Sequence, residues 1–190
     1  MFMNNWKKEF LTIPNMLSLF RLTLIPVYIF IYLTADGPSD HFIAAAILAV
    51  SCLTDLLDGK IARHFDMVST VGKILDPVAD KLTQFTLMVC LSIKHPTLRT
   101  VLILFVIKES FQSIAGLIHL RRGRMLSGAL IAGKICTAVL FVSLILLVLI
   151  PEPSSRLVTS IAWIDMIFLI YSFICYILAY ACKDTRIQDL

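Results

Sequence analysis

The chain has 190 residues, 58% of them hydrophobic and 16% charged, with a mean hydropathy of +0.87. A soluble domain carries about a quarter charged residues, so these values exclude an ordinary water-soluble globule and make the bilayer the natural solvent. The net charge of +4 is modest, and Lys and Arg fall mostly between apolar blocks, which argues for topology signals and membrane-lipid contact and against nucleic acid.

Residues 1–12 set Phe2, Met3, Trp6 and Phe10 near one helical face, with Lys7, Lys8 and Glu9 elsewhere. That pattern predicts an N-terminal amphipathic helix lying on the membrane surface, and no cleavable signal pattern is seen in it. Six apolar segments follow, at roughly 14–34, 41–64, 71–94, 98–120, 128–150 and 157–181, each near the ~20 residues a spanning helix needs. The expected fold is therefore an all-α integral membrane protein with six transmembrane helices plus the surface helix, forming a single domain over 1–190. The five cysteines (Cys52, Cys90, Cys136, Cys175, Cys182) lie in or at the edge of apolar segments and suggest neither a disulfide framework nor a zinc site.

Charge sets the orientation. With the N-terminus inside, the cytoplasmic side receives Lys7, Lys8, Lys60, Arg63, Arg121, Arg122, Arg124, Lys183 and Arg186, against Lys94, Arg99 and Arg156 outside. This places the polar stretch 55–80 toward the cytoplasmic face of the cell membrane.

Segments two and three are unusual for a membrane. Asp55, Asp58, Lys60, Arg63, Asp66, Lys73, Asp76, Asp80 and Lys81 crowd around one turn, and an ionised group at mid-bilayer costs about 2.5–3.5 kcal/mol even on the gentler scale. Shallow depth, basic partners or bound cations must compensate. Asp55 and Asp58 are three apart and Asp76 and Asp80 four apart, so each pair shares a helix face. Two antiparallel helices can thus present four carboxylates to one cleft. An oxygen-only donor set suits hard cations such as magnesium, manganese or calcium, and two such ions can clamp a phosphoryl displacement. Arg63 beside that face suits phosphate oxygens. The bland alternative is a solvated interfacial turn knit by charge pairs.

Residues 55–80, DLLDGKIARHFDMVSTVGKILDPVAD, resemble the signature D-x2-D-G-x2-A-R-x8-G-x3-D-x3-D of the CDP-alcohol phosphatidyltransferases, with every fixed position matched by Asp55, Asp58, Gly59, Ala62, Arg63, Gly72, Asp76 and Asp80. The six-helix layout is also similar to that family. The resemblance implies transfer of a phosphatidyl group from CDP-diacylglycerol to a small alcohol, with CMP released. It implies that Asp55, Asp58 and Asp76 ligate a pair of divalent ions (Mg2+ or Mn2+), and that Asp80 is both ligand and general base. Gly59 and Arg63, with Ser69 as a weaker candidate, would contact the CDP-lipid, and the family typically forms homodimers.

The stretch IPNMLSLFRLTLIP resembles the opening of phosphatidylglycerophosphate synthases through Pro14, Asn15, Arg21 and Pro26. By that likeness Asn15 and Ser18 are candidates for the cytidine end, although helix-start capping is the plain explanation for them. Arg21 can snorkel or bind the nucleotide. Lys108-Glu109 stands where those synthases often carry Arg-Glu, and Gly133, Lys134 and Thr137 resemble their Gly-Lys-x-Lys-Thr stretch, with Cys136 at its second lysine and Leu140 where a glutamine often follows. Lys81, Lys108 and Lys134 each interrupt an apolar block and are the candidate acceptor-binding residues. Glycerol 3-phosphate is the expected acceptor; serine, inositol phosphate and phosphatidylglycerol are the alternatives. For Lys108 and Glu109 a structural ion pair competes with substrate contact, and Asp165 reads as an interfacial residue, an ion-pair partner or a helix contact. The competing function is a divalent-cation transporter, against which the absence of internal repeats counts.

Overall fold

The computed structural model describes residues 13–35, 37–64, 72–121, 124–126, 130–181 and 187–189, with side chains described for most of these but not for 13–14, 38, 55–64, 72–74, 76–77, 120, 124–126 and 187–189. Six helices account for nearly all of it: α1 (Ile13–Leu33), α2 (Pro38–His64), α3 (Gly72–Lys94), α4 (Leu98–Arg121), α5 (Ile131–Leu149) and α6 (Ser155–Ala181). Each expected apolar segment is one helix. The expected surface helix at 1–12 lies outside the described residues.

Four of the six, α1, α4, α5 and α6, are long and apolar enough to cross a membrane. In α2 the apolar run covers only Ser39–Thr54 before the acidic stretch begins, and α3 opens with Lys73, Asp76, Asp80 and Lys81. Many large apolar side chains point outward, Phe30, Phe42, Val142 and Ile167 among them. In water that surface would be an aggregation liability; against acyl chains it is the solvated face. The chain is an integral membrane protein.

The sequence explains the helix ends. Pro38 occupies the first turn of α2, where its missing N–H forfeits nothing. Ser154 Oγ accepts the Leu157 N–H at 3.3 Å, capping α6. Two three-residue strands, β1 (Arg124–Leu126) and β2 (Ile187–Asp189), pair antiparallel with Met125 opposite Gln188. Apart from this ribbon the described elements are all helices, consistent with the all-α expectation. Both strands are too short to carry a periodic signal, and their pairing joins segments about sixty residues apart in sequence.

The fold divides into two compact units. The first holds Met1–Cys90 with Val148–Pro151, and the second Leu91–Leu147 with Glu152–Leu190. In the first, α1 packs along α2. The buried positions of α1 are Asn15, Ser18, Arg21, Tyr28 and Tyr32, a one-sided seam that is polar at its start and aromatic at its end. Tyr32 stacks on Tyr28 at 5.5 Å between ring centroids and meets His41 of α2 edge-on. Among the described residues of α2, Ala44, Ala45, Leu48 and Ser51 are buried, and the small ones let the two backbones approach. In the second unit α4 packs on α6. Leu98, Val101, Phe105 and Lys108 form the buried stripe of α4, while α6 buries Val158, Ala162, Asp165, Leu169, Ser172, Tyr176 and Ala179 at alternating spacings of four and three. That 3.5-residue repeat is the spacing of a helix-pairing seam.

Candidate active site

Asp55 and Asp58 lie near the end of α2, and Asp76 and Asp80 near the start of α3. The backbone thus has the arrangement the spacing predicted: a helix carrying one acidic pair, a seven-residue connection at 65–71, and a helix carrying the other. Asp55 falls four residues after the buried Ser51, and Asp76 three before the buried Ala79. The side chains of Asp55, Asp58, Gly59, Arg63 and Asp76 lie outside the described residues, as does all of Ser69.

Asp80 is described, and it carries the finding that sequence reasoning missed. Arg21 Nη1 donates to Asp80 Oδ1 at 2.6 Å, a charge-assisted bond across 59 residues of sequence. The guanidinium is 2% exposed and the carboxylate 53% exposed. A cation buried in the first apolar segment is tolerated because it meets an acidic group from the third. The signal was present in the sequence as an arginine inside an apolar block; its partner could not be read from spacing.

Asn15 and Ser18 precede Arg21 by six and three residues and are buried on the same seam. Both lie inside α1, which already begins at Ile13, so helix-start capping does not account for them. The polar end of α1 is therefore a buried Asn–Ser–Arg line ending at Asp80. On α3, Thr83 and Gln84 are buried one turn beyond Asp80, and Thr83 Oγ1 donates to the Ala79 carbonyl at 2.9 Å. Lys81 is partly buried beside them. A nearby crevice lined by Tyr28, Leu48, Ser51, Thr83 and Leu87 has room for little more than a water molecule, about 20 Å³, and is packing space rather than a substrate pocket.

The other two candidate lysines lie in the second unit and differ from one another. Lys108 is buried on the α4 stripe, with its ammonium donating to Glu109 at 2.6 Å and standing 5.7 Å from the centre of the Tyr176 ring. Of the two readings of Lys108 and Glu109, the ion pair is present in the structure. Lys134 is exposed on α5. The neighbouring Cys136 and Leu140, four apart, are both buried on the inner face of that helix. Asp165 is buried in the α6 seam, which makes it a helix-contact residue rather than an interfacial one.

Four carboxylates on two consecutive helices make an all-oxygen donor set, which fits a hard divalent cation. Among the residues with described side chains no three acidic, His or Cys groups gather around a point.

The family model for CDP-alcohol phosphatidyltransferase matches residues 11–177. The chain is similar to a CMP-forming cardiolipin synthase of Streptomyces coelicolor, 43% identical over 74 residues, covering 38% of this chain and 34% of that protein. It is similar to a probable phosphatidylglycerophosphate synthase of Mycobacterium tuberculosis, 32% identical over 113 residues, covering 58% of this chain and 54% of that protein. A third relative is a CDP-diacylglycerol–glycerol-3-phosphate 3-phosphatidyltransferase of Rickettsia bellii, 39% identical over 70 residues, covering 37% and 38% of the two chains. The matched stretches thus span about a third to about half of these relatives' own length. With the family model covering most of its length and the acidic pairs on consecutive helices, the chain belongs to the CDP-alcohol phosphatidyltransferase family.

Proposed function

We propose that this protein transfers the phosphatidyl group of CDP-diacylglycerol to a hydroxyl of glycerol 3-phosphate, yielding phosphatidylglycerophosphate and CMP at the cytoplasmic face of the cell membrane. Arg21 holding Asp80 from a buried position is the observation that carries this reading. It holds in place the carboxylate that the family pattern makes the general base. Asp80 takes the proton of the acceptor hydroxyl, whose oxygen then attacks the lipid-side phosphorus as CMP departs. Asp55, Asp58, Asp76 and Asp80 would hold divalent ions, probed below with magnesium, which supply charge neutralisation to the diphosphate. Gly59, Arg63, Ser69, Asn15 and Ser18 would bind the CDP-lipid, with Lys81, Lys108 and Lys134 for the acceptor's anionic group. The unit of function would be a homodimer.

One observation favours a second acceptor. Cys136 and Leu140 present a thiol and an isobutyl group on the buried face of α5, where the synthases resembled here carry a lysine and a glutamine. A face with one cation fewer suits phosphatidylglycerol, whose phosphate is a diester with a single negative charge. Similarity to CMP-forming cardiolipin synthases supports the same reading.

The test is CMP release by the purified protein in lipid nanodiscs. CDP-diacylglycerol and Mg2+ are supplied with glycerol 3-phosphate, phosphatidylglycerol, serine or inositol phosphate in turn. Release with glycerol 3-phosphate alone is the expected result, and release with phosphatidylglycerol alone selects the second acceptor. No release with any alcohol, together with divalent-cation flux in liposomes, would replace the enzyme by a transporter.

A further inference from the structure

The surroundings of Lys108 are built around a residue that no motif singles out. Tyr176, in the last third of α6, is 2% exposed and belongs to a buried cluster with Leu130 and Ala179, against which Phe111 and Tyr180 pack. Its two ends touch two different helices. The ring face lies 5.7 Å from the Lys108 ammonium of α4, inside the range of a cation–π contact. The other end of the ring packs against Leu130, immediately before α5 begins.

The hydroxyl fills a notch at Gly133. A Cβ added there would meet the Tyr176 Oη at 2.5 Å and ring carbons at 2.9 and 3.1 Å. Gly133 immediately precedes Lys134, whose own N–H closes the first turn of α5 onto the Leu130 carbonyl at 3.1 Å. One aromatic side chain therefore fixes the turn bearing Lys134 and supports the Lys108 ammonium. That ammonium has three N–H donors. Glu109 accepts one and the ring faces the group from another side, so among the described residues it is a held cation with donor capacity to spare.

We propose that Tyr176 is a positioning residue of the acceptor site, orienting Lys108 and the Gly133–Lys134 turn toward the anionic group of the incoming alcohol. This rests on the acceptor role given to Lys108 and Lys134 under the proposed function. The cation–π face governs Lys108 and the hydroxyl governs α5.

The test measures CMP release by the full-length protein, with whichever acceptor turns over in the panel above. Tyr176→Leu is expected to raise the acceptor KM about tenfold, the scale of a desolvated cation–π contact, while kcat and the KM for CDP-diacylglycerol stay within about twofold. Lys108→Met is expected to raise the acceptor KM as well, and Tyr176→Leu added to it should raise it by clearly less than Tyr176→Leu does alone, because only the Gly133–Lys134 turn is then left for the ring to hold. Tyr176→Phe, which keeps the ring, should return the acceptor KM to within about threefold of the parent. If Tyr176→Leu does not fold, Tyr176→Met replaces it with the same expectation. Equal rises in donor and acceptor KM, or effects of the two substitutions that multiply, overturn the inference and leave the acceptor role of Lys108 standing. A Lys108→Met protein with an unchanged acceptor KM overturns both.

Discussion

Arg21 and Asp80 share one short bond but live in different surroundings, the guanidinium 2% exposed and the carboxylate 53% exposed. The asymmetry decides what each substitution does. Removing Arg21 leaves a carboxylate that water can still solvate, whereas removing the Asp80 charge takes a principal partner from a buried cation.

Asp80→Asn is therefore expected to destabilise the protein by on the order of 1–3 kcal/mol, the range for a buried polar group losing its partner. Arg21→Met should cost stability less than half as much, because exposed carboxylates lose little when an ion pair goes. Activity should behave differently: Asp80→Asn abolishes CMP release, and Arg21→Lys lowers kcat by roughly tenfold to a hundredfold, the scale of a misplaced reacting group. Thermal unfolding in detergent and steady-state CMP release check the two halves independently. An Arg21→Lys protein with parental kcat would remove the positioning role.

The acidic set makes a separate prediction. Asp55→Asn, Asp58→Asn and Asp76→Asn should each lower kcat on the order of 10²–10³-fold, the scale for deleting one preorganised stabilising group. EDTA should remove activity completely, with Mg2+ or Mn2+ restoring it and Na+ failing to. Turnover that survives exhaustive chelation would show that the four carboxylates serve some purpose other than metal binding.

Two glycines make a contrast that geometry alone sets. A Cβ at Gly116 of α4 would stand 3.5 Å from the Tyr180 hydroxyl, an ordinary contact. Gly116→Ala should then be neutral or stabilising by up to about 1 kcal/mol, the helix-propensity difference. Gly133→Ala forces a methyl into Tyr176 and should destabilise by roughly 1–3 kcal/mol. Tyr176→Phe should rescue it only in part, because the ring carbons remain too close after the hydroxyl is gone. The comparison is read from the unfolding temperatures of the four proteins.

What the sequence showed and what it hid divide along a physical line. Helix positions follow from apolar run lengths, and α1 to α6 fall where those runs predict, because a bilayer forces each run to satisfy its own backbone. The acidic pairs on α2 and α3 are legible for the same reason: spacing of three or four is a local property of a helix. Arg21 to Asp80 and Lys108 to Tyr176 are not local. They join residues 59 and 68 apart in sequence, and nothing in the periodicity of either helix names the partner. The sequence nonetheless marked one member of each pair as a cation in an apolar block, which is a demand for a partner without its address. Tyr176 gave no such mark, since a tyrosine on an apolar helix looks like any packing residue.

Asp165 makes the same demand and meets a different answer. It occupies the fourth-then-third repeat of α6 between Ala162 and Leu169, 1% exposed, at a position where the rest of the seam is largely small or apolar. Ser143 of α5 approaches it, yet among the described residues neither carboxylate oxygen has a hydrogen-bond partner of good geometry. A buried carboxyl in that state weakens the helix pair it sits in, and an apolar side chain of similar size avoids the desolvation cost. Asp165→Val is expected to raise stability by about 1–3 kcal/mol, with Asp165→Asn close to neutral. CMP release should be unchanged in both, since the residue lies on a packing seam and none of the proposed chemistry runs through it. A folded Asp165→Val protein that has lost turnover would show the opposite: that the carboxyl is retained in the seam because the reaction needs it.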